Sequence, residues 1–543
     1  MQKIISSARR SSRNEKISKI KYPPVLPEES FQNLISEVKD WQITHGSQLK
    51  LVRTDDEHTV LSQPVGCALF PTLFPRELFQ EALDLQTTYN KLYAAVTQDE
   101  EWLYETLKDL IDVEPLANKL WSIHQEVKQE GYLQDLTLGI FRSDYMLHME
   151  NQDKSNKMEL KQVEFNTVTC AGGVHGNKIS DMHQQLHLNR SGLYQQIRDS
   201  TPGIASTIQL DSSSFPQNST LRALALGLAF AHKTYGPATS RVDGKQTCIL
   251  FIVQPNNFNI ADERPIEYAL WDESIPTFRV TFGYEVLSQT VLTPNGELIY
   301  SPPGRSISME VSVVYFRAGF EVHEYDDTGH MARFQLERSK AIKCPSLLSH
   351  LTTFKKVQQA LTLPRALDRF LNPDEAAIIS KTFAPQYPLD SSKLGNHARK
   401  LATDPKTAMN HILKPSLEGG GHNFYGDDII TYLKTTPKEM WQQYILMEKI
   451  TPPLVKNFLM SPRGIYEGPV ISELGVFGIC LWKGCSGEDG KRKPDMVEEF
   501  EPCWSFKTKD ASVNEISVVK GYGCFDSPAL VDSELFLSLL EKP

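Results

Sequence analysis

The sequence predicts an α/β fold in more than one lobe, and three observations carry that reading. The chain has 543 residues, beyond the roughly 250–300 at which a single hydrophobic core stops growing. Residues 248–253 form an unbroken apolar run, and 278–282 and 311–316 follow at distances that admit helices between them. Such strands belong to a parallel sheet covered on both faces. Helical periodicity appears elsewhere: after Pro23, Pro24 and Pro27, Phe31, Leu34, Ile35 and Val38 recur at i, i+3, i+4 and i+7.

Further helical segments are expected to about Glu130. Ser219 is placed to cap a helix over 220–235 that Gly236 terminates, and the Ser- and Pro-punctuated stretch 203–218 before it reads as a lobe boundary. The last third mixes helices with strands such as 471–482, and 484–494 reads as a Gly- and charge-rich loop. The chain thus divides into a basic disordered tail (1–21), an N-terminal part (22–246), a small α/β lobe (247–345) and a C-terminal part (346–543).

Composition narrows the function. With 57 basic against 67 acidic residues the net charge is −10, which disfavours nucleic acid or an anionic membrane as partner. At 40% hydrophobic and 23% charged the chain can bury its cores, so disorder is not the default. No apolar run approaches the roughly 18–20 residues of a spanning helix; 221–231 contains Arg222 and is followed by His232. The eight cysteines, at 67, 170, 248, 344, 480, 485, 503 and 524, lack paired CxxC spacing, which points away from a disulfide framework or zinc ribbon and toward reduced thiols in the cytoplasm. The tail holds seven Lys and Arg against Glu15 and has no apolar core. It is no secretory signal; a floppy tail and a mitochondrial presequence both fit it.

Common catalytic signatures are missing. The nearest phosphate-loop candidate, Gly490-Lys491, has Cys485 where the first glycine belongs and Arg492 where Ser or Thr belongs. His323-Glu324 opens like a zincin helix, but position 327 is Asp, and no GxSxG elbow occurs. Two other constellations remain. Lys414 and Glu418 precede three consecutive glycines, Gly419, Gly420 and Gly421. That pattern suits a loop pressing backbone N–H groups against phosphate, with Lys414 neutralising charge and Glu418 holding Mg²⁺, though taken alone it suits a tight hairpin turn better. Glu164 and Asn166, two apart in a strand, point to one face, where they suit either a hard cation or an exposed polar edge.

Ordered strings extend these constellations: Phe-Arg-Ser-Asp-Tyr at 141–145, Gln-Val-Glu-Phe-Asn-Thr at 162–167, Val-Tyr-Phe-Arg at 314–317, Leu-Glu-Arg-Ser at 336–339 with Lys-Cys-Pro at 343–345, Lys-Lys-Val-Gln-Gln at 355–359, the stretch 414–425, Tyr-Ile-Leu-Met-Glu-Lys at 444–449 and Ile-Ser-Glu-Leu-Gly at 471–475. In this set, from about Tyr22 to the C-terminus, the chain resembles the eukaryotic glutathione synthetases. The resemblance implies an ATP-grasp fold with an inserted parallel lobe and Gly-rich lids, a homodimer, and ligation of γ-glutamylcysteine to glycine with ATP and two Mg²⁺ ions. By match, Glu164, Asn166 and Glu418 are the metal ligands. Arg142, Lys414 and Glu418 are catalytic. The ATP site comprises Lys355, Lys414, Gly419, Gly420, Gly421, Asn423, Tyr425, Met447, Glu448, Lys449 and Glu473. Substrate-binding positions are Thr169, Asn257, Asn259, Glu263, Arg317, Lys507, Lys509, Val519 and Lys520.

Departures from the family pattern gather around the amino-acid substrates. Ser416-Leu417 and His422-Asn423 replace Gln-Arg and Asn-Asn around the triple glycine. Residues 516–521, Ile-Ser-Val-Val-Lys-Gly, stand where the family's C-terminal lid reads Gly-Gly-Val-Ala-Ala-Gly, and Lys507 replaces an arginine that binds substrate carboxylate. Ala171, Asn257, Glu263 and Phe320 also differ, whereas Asn259 and Arg317 are retained. Three readings follow: an ordinary glutathione synthetase, a paralogue with another donor or acceptor amine, and a non-catalytic scaffold. Survival of Glu164, Asn166, Lys414, Glu418 and the triple glycine argues against the third.

Overall fold

A computed structural model describes residues 22–51, 60–149, 157–186, 210, 212–240, 246–304, 306–416, 422–487, 492–518 and 521–540. The basic tail, half of 203–218, Glu418, Gly419, Gly420, Gly421, Val519 and Lys520 lie outside the described residues.

One fourteen-stranded sheet organises the backbone. The 23-residue strand Gly464–Ser486 runs antiparallel to Leu136–Met149 on one side and to Cys503–Asp510 on the other. Leu136–Met149 also pairs antiparallel with Met158–Asn166, and at its start in parallel with Ile342–Cys344. From there the sheet continues in parallel through Met309–Phe316 and Thr247–Val253 to Thr277–Thr281. These last three strands are the apolar runs of the sequence, and in 248–253 alternation explains why the run is unbroken. Ile249, Phe251 and Val253 pack with Leu224, Ile266 and Leu270 of two helices on one face; Cys248, Leu250 and Ile252 pack with Ala332 and Leu336 on the other. A separate four-stranded sheet, ordered Gln386–Pro388, Tyr444–Glu448, His411–Pro415, Phe424–Tyr425, has its own core around Leu389, Leu413, Trp441 and Leu446.

Three features differ from the sequence expectation. The helix Thr220–Tyr235 ends at Gly236 as expected (φ 87°), but Ser219 makes no side-chain cap. Asn218 does that work: its Oδ1 accepts from Thr220 N at 3.0 Å while its amide is pinned to Trp504 O at 2.8 Å. The N-terminal part is not purely helical. Strands Gln48–Leu51, Leu61–Pro64, Cys67–Ala68 and Thr72–Pro75 precede helices Arg76–Gln98, Glu100–Ile111 and Pro115–Glu130. Two of these short strands pair with segments near the other end of the chain, which no local pattern signals. Finally, the expected loop 484–494 is mostly ladder, because Gly484, Cys485 and Ser486 pair with Pro494, Lys493 and Arg492.

Asp526 ties the two chain ends together. Its Oδ2 accepts from Thr72 Oγ1 at 2.5 Å and Thr508 Oγ1 at 2.7 Å, and its Oδ1 accepts from Ser527 N at 2.7 Å. Burial pushes this carboxyl up to about 7 despite those bonds. The native state therefore holds the proton more tightly than the unfolded chain does, so the associated stability is full below about pH 4 and is lost as pH rises toward 7. Denaturant unfolding across pH 5 to 8 is expected to show a decline on the order of 2 kcal/mol from this group, absent in Asp526→Asn.

Candidate active site

The strand Met158–Asn166 is amphipathic across its faces, and that fixes what it presents. Phe165 packs on Tyr93 (centroids 3.8 Å), Tyr89 (5.5 Å) and Phe141 (5.6 Å). Glu164 and Asn166 consequently face the other way, toward a cavity of about 320 Å³. Three further strands continue this polar row. Asn166 lies opposite Arg142 and Glu164 opposite Asp144, Asp144 lies opposite Gly475, and Glu473 lies opposite Lys507.

Arg142 and Asp144 form a buried bidentate pair, Nε to Oδ1 at 2.6 Å and Nη2 to Oδ2 at 2.7 Å. Gly475 makes room for it, since a Cβ there would stand 2.7 Å from Asp144 Oδ1 and 2.9 Å from Arg142 Cδ. The remaining arm of Arg142 donates to Ala171 O at 2.9 Å, and Arg317 donates to Cys170 O at 3.1 Å. Two arginines thus hold the turn after the strand, in which Thr169 adopts φ 51° with its buried hydroxyl unpartnered. Asp144 was not among the expected site residues, although its spacing of two from Arg142 on a strand puts both on one face.

Cations converge on Glu164. Lys355 Nζ lies 3.4 Å from Glu164 Oε2, and Lys414 Nζ donates to Val163 O at 2.8 Å. Burial alone would raise the Glu164 carboxyl, but Lys355, then Lys414, Arg142 and Lys507 outweigh it and hold it well below the usual range. Lys414 is brought down to about 8 by burial, with Glu164 opposing and Lys355 adding to the shift. Glu473, joined to Lys507 at 3.0 Å, is raised by burial against the pull of that lysine. Burial also lowers Lys509, whose ammonium donates to Val513 O, and Lys449, which sits 5.8 Å over the Tyr425 ring. On the small sheet Met447 is buried, and Glu448 accepts from Tyr387 Oη at 2.8 Å.

The other side of the cavity holds Asn257, Asn259, Glu263 and Arg317 with Thr169 and Lys507. Glu263 is consumed internally, by Asn257 at 2.5 Å, Arg279 at 3.1 Å and Arg317 at 3.3 Å. Asn259 Oδ1 accepts from buried His175 Nε2 at 3.2 Å. Ile516, Ser517 and Val518 line the wall beside Phe320 and Phe525. Glu515 escaped sequence reasoning and carries no local signal. Its Oε1 accepts from Asn423 N at 3.0 Å and lies 3.4 Å from Tyr425 Oη, joining the segments that flank the two glycine-related loops. In Glu515→Ala, deuterium uptake over 422–425 is expected to rise severalfold with little change in melting temperature.

The model for "Eukaryotic glutathione synthase, ATP binding domain" matches residues 28–530. The glutathione synthetase large chain of Schizosaccharomyces pombe is 29% identical over 530 residues, covering 93% of this chain and 98% of that one. Glutathione synthetase of Dictyostelium discoideum is 31% identical over 512 residues, with 93% and 100% coverage, and that of Homo sapiens 33% over 438, with 79% and 84%. Among solved structures, the apo form of a glutathione synthetase-like effector from Globodera pallida superposes with a TM-score of 0.69 at 23% identity, covering 93% and 98%, a likeness of fold. With the family model matching residues 28–530 and relatives of 31% and 33% identity covered over 100% and 84% of their length, the chain belongs to the eukaryotic glutathione synthetases, ATP-grasp ligases that depend on ATP.

Proposed function

We propose that the chain joins γ-glutamylcysteine to glycine while ATP is cleaved to ADP and phosphate. The observation that carries this reading is the polar cluster Glu164, Asn166 and Arg142 lining one cavity, with Lys355 3.4 Å from Glu164 and Lys414 close enough to help hold that carboxylate ionised. A donor carboxylate attacks the γ-phosphorus, ADP leaves, and the acceptor amine displaces phosphate from the acyl phosphate, losing a proton as the amide forms. Arg142, rigid in its pairing with Asp144, orients the donor and the developing charge. Lys355 and Lys414 meet the triphosphate, while Asn423, Tyr425, Met447, Glu448 and Lys449 surround the nucleotide. In this reading 247–345 supplies donor contacts and 346–543 the nucleotide site and lids.

The donor set fits Mg²⁺. Asn166 Nδ2 donates to Asp144 Oδ2 at 3.0 Å and to Glu164 Oε1 at 3.4 Å, so its Oδ1 is the amide atom left to ligate beside an ionised Glu164. Glu164 and Asn166, with Glu418 from the loop outside the described residues, would hold the metal, which when bound neutralises phosphate charge. We also assign the chain a two-fold dimer and a cytoplasmic location; among the described residues no helix is long and apolar enough to cross a membrane.

A second reading, another acceptor amine, draws support from Ile516 and Val518 in the cavity wall and from Lys507 being engaged by Glu473. Phosphate release with ATP, γ-glutamylcysteine and a panel of amines separates the two. A kcat/KM for glycine of roughly 10⁴ M⁻¹s⁻¹ or above supports the first reading, and preference for a bulkier or more acidic amine supports the second.

Glu164→Gln is expected to lower turnover at least about 10²-fold with an unchanged melting temperature. Because Lys414 loses its proton through about pH 8, the KM for ATP should climb above that pH. In Lys414→Arg, which stays charged, the rise should flatten.

A further inference from the structure

Resting on the glutathione synthetase reading, we propose that Glu324 and Tyr325 are positioning residues that hold the donor wall of the cavity in its ligand-ready form. Arg317 and Phe320 line that wall and lie on one short loop after the strand Met309–Phe316. The Glu324 carboxylate accepts three consecutive backbone N–H groups of this loop, from Gly319 at 3.0 Å, Phe320 at 3.0 Å and Glu321 at 2.9 Å. Tyr325 Oη donates to Gly319 O at 2.7 Å, and its buried ring meets Phe282 at 5.4 Å. The loop is therefore closed on itself by two side chains from its own far end.

The surroundings are built to that closure. Gly319 adopts φ +79°, and a Cβ there would stand 3.2 Å from Tyr325 Oη; at Gly329 a Cβ would fall 1.8 Å from Glu324 O. Arg317 is fixed independently, by Cys170 O, Glu263 and Asp262. Phe320 is thus anchored through its own backbone on one side and Arg317 through salt bridges on the other, so the wall keeps its shape before substrate arrives and the ordering cost of binding falls. Glu324 spends its oxygens on the loop and does not line the cavity.

The test is steady-state phosphate release with varied γ-glutamylcysteine at saturating ATP and glycine. Glu324→Ala and Tyr325→Phe should each raise the KM for γ-glutamylcysteine about tenfold, leaving kcat and the KM for ATP within about twofold. Glu324→Gln, which keeps one acceptor oxygen, should recover part of the loss. A donor KM that stays within about twofold, or that rises together with the KM for ATP, overturns the proposal. Deuterium uptake over 317–325 without substrates supplies a second readout. It should rise in Glu324→Ala, and unchanged uptake overturns the clamp whatever the kinetics. Should the unmodified enzyme turn over neither γ-glutamylcysteine nor glycine while that uptake still rises, the substrate assignment fails and the clamp stands.

Discussion

The ion pair between Arg142 and Asp144 is the interaction on which the rest of the site depends. Both groups are buried in the middle of a sheet, so removing either partner would strand a charge at a cost of roughly 3–5 kcal/mol. The pair also distributes order outward. Through Ala171 O it fixes the turn after the strand Met158–Asn166, and through Asn166 Nδ2 it sets which end of that amide faces the cavity. Gly475 is the steric condition for all of this, since even a methyl group on the neighbouring strand would displace the carboxylate.

Charge at the cavity is balanced in two different ways. Beside Asn257 and Asn259, Asp262 and Glu263 meet Arg317 and Arg279, closing a network that leaves Glu263 satisfied before any ligand arrives. Toward Lys355 and Lys414 the cations stand near one ionised carboxylate, Glu164, and Lys414 is discharged readily by its burial. Burial there disfavours the charged form of Lys414, and any neighbouring negative charge favours it again.

Much of the fold could be read locally. The apolar runs became parallel strands because both of their faces are covered, and the helix over 220–235 ended at its glycine. Locally unreadable were the pairings between distant segments: Cys67–Ala68 on Val455–Ser461, and Thr72–Pro75 on Pro528–Val531. The site divides along the same line. Glu164, Asn166 and Arg142 were legible from strand alternation and from family strings. Asp144 was legible in principle. Glu515 was not, because it acts on the Asn423 N–H, which only the tertiary structure brings to it; Glu324 acts on N–H groups three to five residues back, in an irregular loop without a regular spacing to flag it.

The small sheet carrying Lys414 has its own apolar core; among the described residues, it and its flanking segments meet the strands of the large sheet through contacts such as Lys414 to Val163 O, a single bridge between Gln162 and Phe383 and a bond from Met149 N to Thr451 O, with no extended ladder between the sheets. Such isolated contacts yield more readily than a ladder, so the two bodies can keep their internal order while the angle between them changes. Where the two bodies unfold as separate cooperative units, a molecule that grips both at the seam draws their transitions together. The width of the melting transition, more than its midpoint, then reports whether that seam is filled.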